Sequence, residues 1–444
     1  IGSADFEHFP DAFYRCWISD SMLKRFGPDG MFLDLKELVQ ENAPNLCKAL
    51  DEMDAWSNVL DPETGAMYSV PELNSALSAR MHPKMFFNKK MLEAVGGKVP
   101  TTTDELYELL VKVRDADANG NGDANDEIGV TSNGLSNVLR AFTGAFGLNN
   151  RGREDLSVDA DPSDPTKIRF VYTCDSYRQY LAYVAKLYQE GLIDPELFEL
   201  STAKMVAKGS QDMIFCLSYI NCQAASVNAD DYVGLEVALK GPNGDQQWNN
   251  MNKGVGLGAF AISPTCKDPA TLVRWIDSFY TDEGAKMFYF GKEGEDFYYD
   301  ENGLPAYNQE ILDQVSAENP YDKVISAISP YASGTLPVLI KDEFFCGAEC
   351  RGVNLETAKN LEPYVNQITW KFNFTTEESE ELSPLTADLI TNCHDVYRAK
   401  FIKGELDVND DAAWQSYVDE MQSLGLERYI EIYQGALDRM QAQN

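Results

Sequence analysis

Short apolar runs alternate with helix-patterned stretches along most of the chain, and few architectures accommodate that alternation. Residues 13–18, 83–88, 213–217, 232–239 and 254–263 read as strands, the last one rich in glycine. Between them, Leu106, Leu109, Leu110 and Val113 form one helix stripe, and Tyr180, Leu181, Val184, Leu187 and Tyr188 another over 177–189. The first of these helices opens on Pro100-Thr-Thr-Thr-Asp104, where Thr103 is expected to cap the free amides. Further helices are expected over 31–49, 269–279, 383–403, 410–423 and 428–440. Strands interleaved with helices and Gly/Pro loops give an α/β fold rather than a bundle or a sandwich. A length of 444 residues provides for two to three domains.

Charge narrows the function. With 37 Lys+Arg against 71 Asp+Glu the net charge is −34, a field that repels nucleic acid and anionic membranes and favours neutral or weakly charged ligands. Arg15, Arg140 and Arg351 offer local exceptions. The longest apolar run, 255–262, is too short to span a bilayer. Nine cysteines, an odd number in a long chain with no second Cys pair or nearby His, point to buried thiols rather than disulfides or a zinc site.

The sharpest local motif is D-A-N-G-N-G-D-A-N-D-E-I over 117–128. A hard cation such as calcium takes six to eight oxygens, and alternate loop residues wrap one ion where glycine permits a tight turn. Asp117, Asn119, Asn121, Asp123, Asp126 and Glu127 are the expected ligands of a structural Ca2+, although Ile128 stands where an EF-hand has its bidentate Glu. The other reading of the same residues is a solvated Asx-rich turn.

Catalytic signatures are missing. Gly96-Gly-Lys98 lacks the spacing of a phosphate loop, and no nucleophile elbow, H-E-x-x-H or dinucleotide fingerprint is present. Sugar rings stack on Trp and Tyr while their hydroxyls pair with Asn, Gln and Arg. Arg15 and Trp17 end one strand, Tyr219 and Asn221 follow another, and Trp248 and Asn250 lie in the amide-rich loop 246–252. Trp275 and Trp414 fall within amphipathic helices and are expected in the core.

Several phrases occur in a telling order: FPDAF at 9–13, GMFLDL at 30–35, FFNKKML at 86–92, VPTTTDEL at 99–106, then the 117–128 loop. GKEGED at 291–296, YDENG at 299–303, KFIKGEL at 400–406 and YQGALD at 433–438 complete the set. Together they resemble the extracellular solute-binding proteins of ABC-type sugar importers, in the large oligosaccharide-binding lipoprotein branch. The resemblance implies a two-lobed periplasmic-binding-protein-like fold (type II), with mixed sheets flanked by helices and a ligand cleft between the lobes. Lobe one would be 1–88 plus 254–328, without the family's first strand–helix–strand. Lobe two would be 89–253 plus 329–444, carrying the cation loop 117–127.

The resemblance also implies a non-enzymatic monomer that binds an oligosaccharide, closes by a hinge and is read by a membrane permease. Its place would be extracellular, tethered by a lipid-bearing cysteine outside this chain, or periplasmic. Tyr219, Arg15 and Trp17 match positions where the family uses aromatic or polar groups, and Tyr68 and His82 would lie at the cleft edge. Two other readings stay open: a carbohydrate-active enzyme working through a carboxylate pair, and a calcium-stabilised surface glycan-binding or sensing module.

Overall fold

In a computed structural model of the chain, the residues described are 9–442 except 17, 62, 154–156, 227–228, 302, 317–318, 320, 330–335, 346, 369, 371 and 373. Strands β1 (Ala12–Tyr14), β2 (Val70–Asn74), β3 (Lys84–Asn88), β4 (Ile128–Thr131), β5 (Val158–Asp161) and β6 (Asp164–Phe170) alternate with helices. They are followed by β7 (Ile214–Tyr219), β8 (Tyr232–Gly234), β9 (Val255–Ile262), β10 (Phe297–Tyr299), β11 (Pro305–Tyr307) and β12 (Leu339–Ile340). The expected α/β class with mixed sheets is what forms.

The chain divides into two units. One comprises Ile1–Arg80 and Lys253–Arg351, the other Met81–Asn252 and Gly352–Asn444. These limits differ from the expected ones at two crossings. Residues 81–88 go with the second unit because β3 is an inner strand there, flanked by β7 and β8. Residues 329–351 go with the first because β12 pairs in parallel with β2 and the Asp342 carboxylate accepts a bond from the Leu77 amide.

In the first unit the strand order is β1-β9-β2-β12, antiparallel except for the last pair. Glycine in β9 is a packing requirement. A Cβ on Gly258, whose φ is 74°, would fall 1.9 Å from the Ile18 carbonyl oxygen. The helix Pro44–Glu52 buries Leu46, Ala49 and Leu50. Its free N-terminal amides are met by the Asp277 carboxylate, which accepts from Asn45 N and Leu46 N at 2.9 Å each. One carboxylate thus ties the two sequence halves of this unit together. Trp275 departs from expectation: the helix Pro269–Asp277 buries Val273 and Ile276, which leaves Trp275 on the rim, 49% exposed, with its ring edge to face on Phe279.

In the second unit the order is β4-β7-β3-β8, with β4 parallel to β7 and the other pairs antiparallel. Every residue of β3 is buried, including Lys84, whose ammonium donates to the Met81 carbonyl at 3.0 Å. The helix Thr103–Arg114 is capped by Thr102 rather than Thr103. The extended Thr102 hydroxyl accepts from Glu105 N, and Thr103 is itself buried as the first helical residue. The helix Asp175–Gln189 buries Tyr177, Tyr180, Leu181, Val184 and Leu187 as its spacing requires, with Tyr188 half-exposed.

The long C-terminal helical run is continuous but wound differently over Ala387–His394, a π-helical stretch between Thr376–Thr386 and Asp395–Lys403. Trp414 is buried, as its spacing indicates. The described cysteines are free: Cys216, Cys222, Cys350 and Cys393 are buried, whereas Cys16 is exposed. Among the described residues no helix is long and apolar enough to cross a membrane.

Candidate functional site

The second unit gathers most of the chemistry. β3 and β7 run antiparallel with Lys84 opposite Tyr219, so the residues just before β3 lie beside the end of β7. There the peptide bond His82–Pro83 is cis, and the His82 ring meets the Tyr219 ring edge to face. The 248–251 stretch completes this corner. His82 N donates to the Asn250 carbonyl at 3.0 Å, and the Trp248 indole N–H donates to the Pro83 carbonyl at 3.2 Å. That stretch is held from behind, since Trp248 N donates to Tyr364 O and the Gln367 side chain bonds both Met251 N and Met251 O.

A third element adds positive charge. Arg140, on the helix Leu135–Thr143, donates through Nη2 to the Arg153 carbonyl at 3.2 Å, and its own carbonyl accepts from Asn250 Nδ2 at 3.3 Å. Around this corner four polar atoms are buried without a hydrogen-bond partner: His82 Nδ1, Asn250 Oδ1, Arg140 Nε and Arg153 Nε. Buried polar groups are ordinarily satisfied, so this corner has hydrogen-bonding capacity open to water or to a ligand.

Electrostatics agree with this picture. Burial, followed by the charges of Arg153, Lys84 and Arg140, drives the His82 imidazole pKa down to about 2. Burial and the neighbouring Arg140 bring Arg153 down to about 10. His82 is therefore a neutral ring at any physiological pH, suited to hydrogen bonding with a hydroxyl and not to carrying charge.

Of the residues singled out from sequence, His82, Tyr219 and Asn250 come together here. Trp248 does not offer a stacking face: it is 2% exposed and acts as a buried brace for the 248–251 stretch. Asn221 is likewise structural, buried while its Oδ1 accepts from Ala224 N to cap the turn Cys222–Ala224. Tyr68 belongs to the first unit's core, where its hydroxyl bonds Thr64 Oγ1 and a Cβ on Gly27 would fall 2.4 Å from its ring. Arg15 follows β1 in that same unit with φ 56° and its amide bonded to Ala259 O. Trp17 lies outside the described residues. Arg153 and Lys84 escaped the sequence reading. A lysine inside an apolar strand and an arginine after a glycine have no pattern of their own.

The acidic loop has its expected turns, with Gly120 and Gly122 at φ 71° and 95°. Asp117 accepts from Asn121 N and Gly122 N, and Glu127 Oε1 accepts from Ala118 N and Asn119 N. Asn119 and Asn121 turn their amide nitrogens toward Asp126, and Asp123 accepts from Asn125 N. Among the described residues no three His, Cys, Asp or Glu side chains are arranged to hold a metal ion. Glu127 Oε2, however, is buried with no partner. The donors on hand, carboxylate and amide oxygens, are those that hard cations take.

No family model matches the chain. In sequence it is 25% identical over 464 residues to the fructooligosaccharide ABC transporter substrate-binding protein FusA of Streptococcus pneumoniae serotype 4, spanning 100% of this chain and 82% of FusA. The lipoprotein LipO of Bacillus subtilis is 28% identical over 231 residues, 48% of this chain and 42% of LipO. In fold the chain is similar to FusA in complex with kestose, with a TM-score of 0.75 at 23% identity over 98% of this chain and 89% of that one. A FusA EF-hand mutant in complex with fructo-nystose gives a TM-score of 0.74 at 22% identity, over 98% and 89% of the two chains. A human-milk-oligosaccharide-binding solute-binding protein of Bifidobacterium longum infantis gives 0.73 at 21% identity, over 97% and 87%.

Proposed function

We infer that this chain belongs to the substrate-binding proteins of ABC-type carbohydrate importers, and that it captures an oligosaccharide outside the cell and hands it unaltered to a membrane permease. It is a binding protein, not an enzyme. The observation that carries the reading is the corner at β3 and β7, where four buried hydrogen-bonding atoms without partners lie around a half-buried tyrosine ring. Saccharides present ring faces to aromatic side chains and hydroxyls to such donors and acceptors. Similarity to FusA along the full chain supports the same conclusion.

Within this reading Tyr219 supplies the stacking face, while His82 Nδ1 and Asn250 Oδ1 fix hydroxyl orientation. The 117–127 loop holds a structural Ca2+ through Asp117, Asn119, Asn121, Asp123, Asp126 and Glu127. The EF-hand named for FusA and the unpartnered Glu127 oxygen both support this. When bound, the ion would neutralise the clustered carboxylates and stiffen the segment leading into β4. Attachment to the membrane as a lipoprotein accords with the partial likeness to LipO.

Isothermal titration calorimetry against a panel of neutral and acidic oligosaccharides, kestose included, tests the reading. Binding heat at micromolar affinity, about −8 kcal/mol, with the glycan recovered intact is the expected result. Release of new reducing ends would overturn it.

A further inference from the structure

Several charged groups buried in the second unit are paired with an acid, whereas the Lys84 ammonium is seen on the Met81 carbonyl. Arg169 bonds the fully buried Asp159 at 2.6 Å, Lys208 bonds Asp194 at 2.8 Å, and Arg398 bonds Asp395 at 2.9 Å. Arg140 and Arg153 differ from these pairs. Both are partly buried and linked only through Arg140 Nη2 to the Arg153 carbonyl, and neither has a carboxylate within ion-pair distance among the described residues. A chain with 71 acidic residues has no shortage of counter-ions. Two guanidinium groups in partial burial repel one another and lose hydration, a cost that folded proteins usually offset with an acid.

The surroundings are suited to a ligand. Each guanidinium keeps a buried Nε–H without an acceptor, and Asn250 Oδ1, on a side chain only 2% exposed, lacks a donor. The neutral His82 ring lies in the field of both guanidinium groups and meets the Tyr219 ring. Two N–H forks match the paired oxygens of a carboxylate or sulfate. The adjoining acceptor and ring match the hydroxyls and the face of a sugar.

We propose that the second unit carries an anion subsite, in which Arg140 and Arg153 grip the acidic group of the bound saccharide while Asn250 and His82 hold its neighbouring hydroxyls. The preferred ligand class is thus an oligosaccharide with a uronate carboxylate or a sulfate ester. The subsite rests on the saccharide-binding reading above and specifies which saccharides it favours. The surface charge, net negative, then acts against this class at long range and the subsite acts for it at contact.

The experiment is calorimetry with trigalacturonate, its fully methyl-esterified form, a sulfated disaccharide and kestose, each at low and high salt. Trigalacturonate, the sulfated disaccharide, or both should bind at least about tenfold more tightly than the neutral probes, with the advantage shrinking as salt rises. Comparison of the two acidic probes distinguishes carboxylate from sulfate. Arg153→Gln should erase the preference for acid and leave thermal stability equal or higher, because its side chain has no ion-pair partner among the described residues to lose. Arg140→Gln should erase it too. Equal or tighter binding of the ester or kestose overturns the subsite while the saccharide-binding reading stands. Absence of heat with every probe overturns both. A preference for acid that survives in both variants assigns the anion elsewhere and also overturns the proposal.

Discussion

The rings of His82 and Tyr219 lie 5.6 Å apart at 82°, one edge against the other's face, at the point where β3 begins and β7 ends. This contact joins a residue before an inner strand to one that closes its neighbour, so the backbone ladder itself sets the spacing. On the proposed reading, a saccharide that stacks on Tyr219 would meet a ring already braced on one side, which lowers the entropy lost on binding.

Tyr219→Ala should weaken oligosaccharide binding about tenfold, with stability changed by about 1 kcal/mol or less, because the ring is only half-buried. Tyr219→Phe should retain most of the affinity. Calorimetry paired with urea unfolding checks both, and an alanine variant that binds as tightly as the parent would remove the stacking role.

Trp248→Ala should destabilise the protein by about 3–5 kcal/mol, the cost of emptying a buried aromatic site. Trp248→Phe fills most of the volume but leaves the Pro83 carbonyl without its indole donor, for a loss of about 1–3 kcal/mol. The midpoint of urea unfolding reads both, and a ligand-affinity loss without a stability loss would contradict the brace described above.

Much of the scaffold was legible because it follows from periodicity. The apolar stripe of Thr103–Arg114 and, Tyr188 excepted, that of Asp175–Gln189 bury the side chains that their spacing selects, and β9 is buried from Gly258 onward. The site was legible only in part. Tyr219 and Asn250 could be chosen from their neighbours in sequence, but Trp248 sits among amides and is nevertheless packed inside, because Tyr364 and Gln367, more than a hundred residues later, cover its segment. Arg140 and Arg153 acquire meaning from having no carboxylate beside them among the described residues, and no linear pattern records that. The 329–351 stretch went astray for a similar reason. A two-residue strand such as Leu339–Ile340 carries too little pattern to reveal its partner.

Calcium should raise the melting temperature of metal-stripped protein, with about 3 kcal/mol gained at a hundredfold excess over the dissociation constant. Glu127→Gln keeps an oxygen for the Ala118 and Asn119 amides but removes the charge, so it should abolish most of that gain. Thermal scans with chelator and with calcium decide the matter. Identical curves for the parent protein would rule the ion out.

Opposite pH slopes are expected from two buried groups. Burial lowers His394 to about 4, against 6.5 when free, even though Asp395 bonds its Nδ1 and Tyr177 its Nε2. The unfolded chain therefore holds the extra proton between those values, and stability drops by about 3 kcal/mol as pH falls from about 6.5 to 4. Burial raises Glu72 to about 6, with a small opposing effect of the bond from Leu336 N. Here the folded state holds the proton, and stability falls by about 2 kcal/mol as pH rises from about 4.5 to 6. Unfolding of His394→Gln and Glu72→Gln across pH 4–7 should flatten one slope each. An unchanged slope in either variant would refute that assignment.

The pairing of β12 with β2 has a consequence for biosynthesis. A ribosome finishes β2 early, yet the strand that lies at its edge emerges only after some two hundred and sixty further residues have been made, and the helix Gly352–Leu361 beside β8 emerges later still. The first unit cannot close until β12 has been made, and the second waits for the residues that follow Gly352, so both depend on chain that is made late.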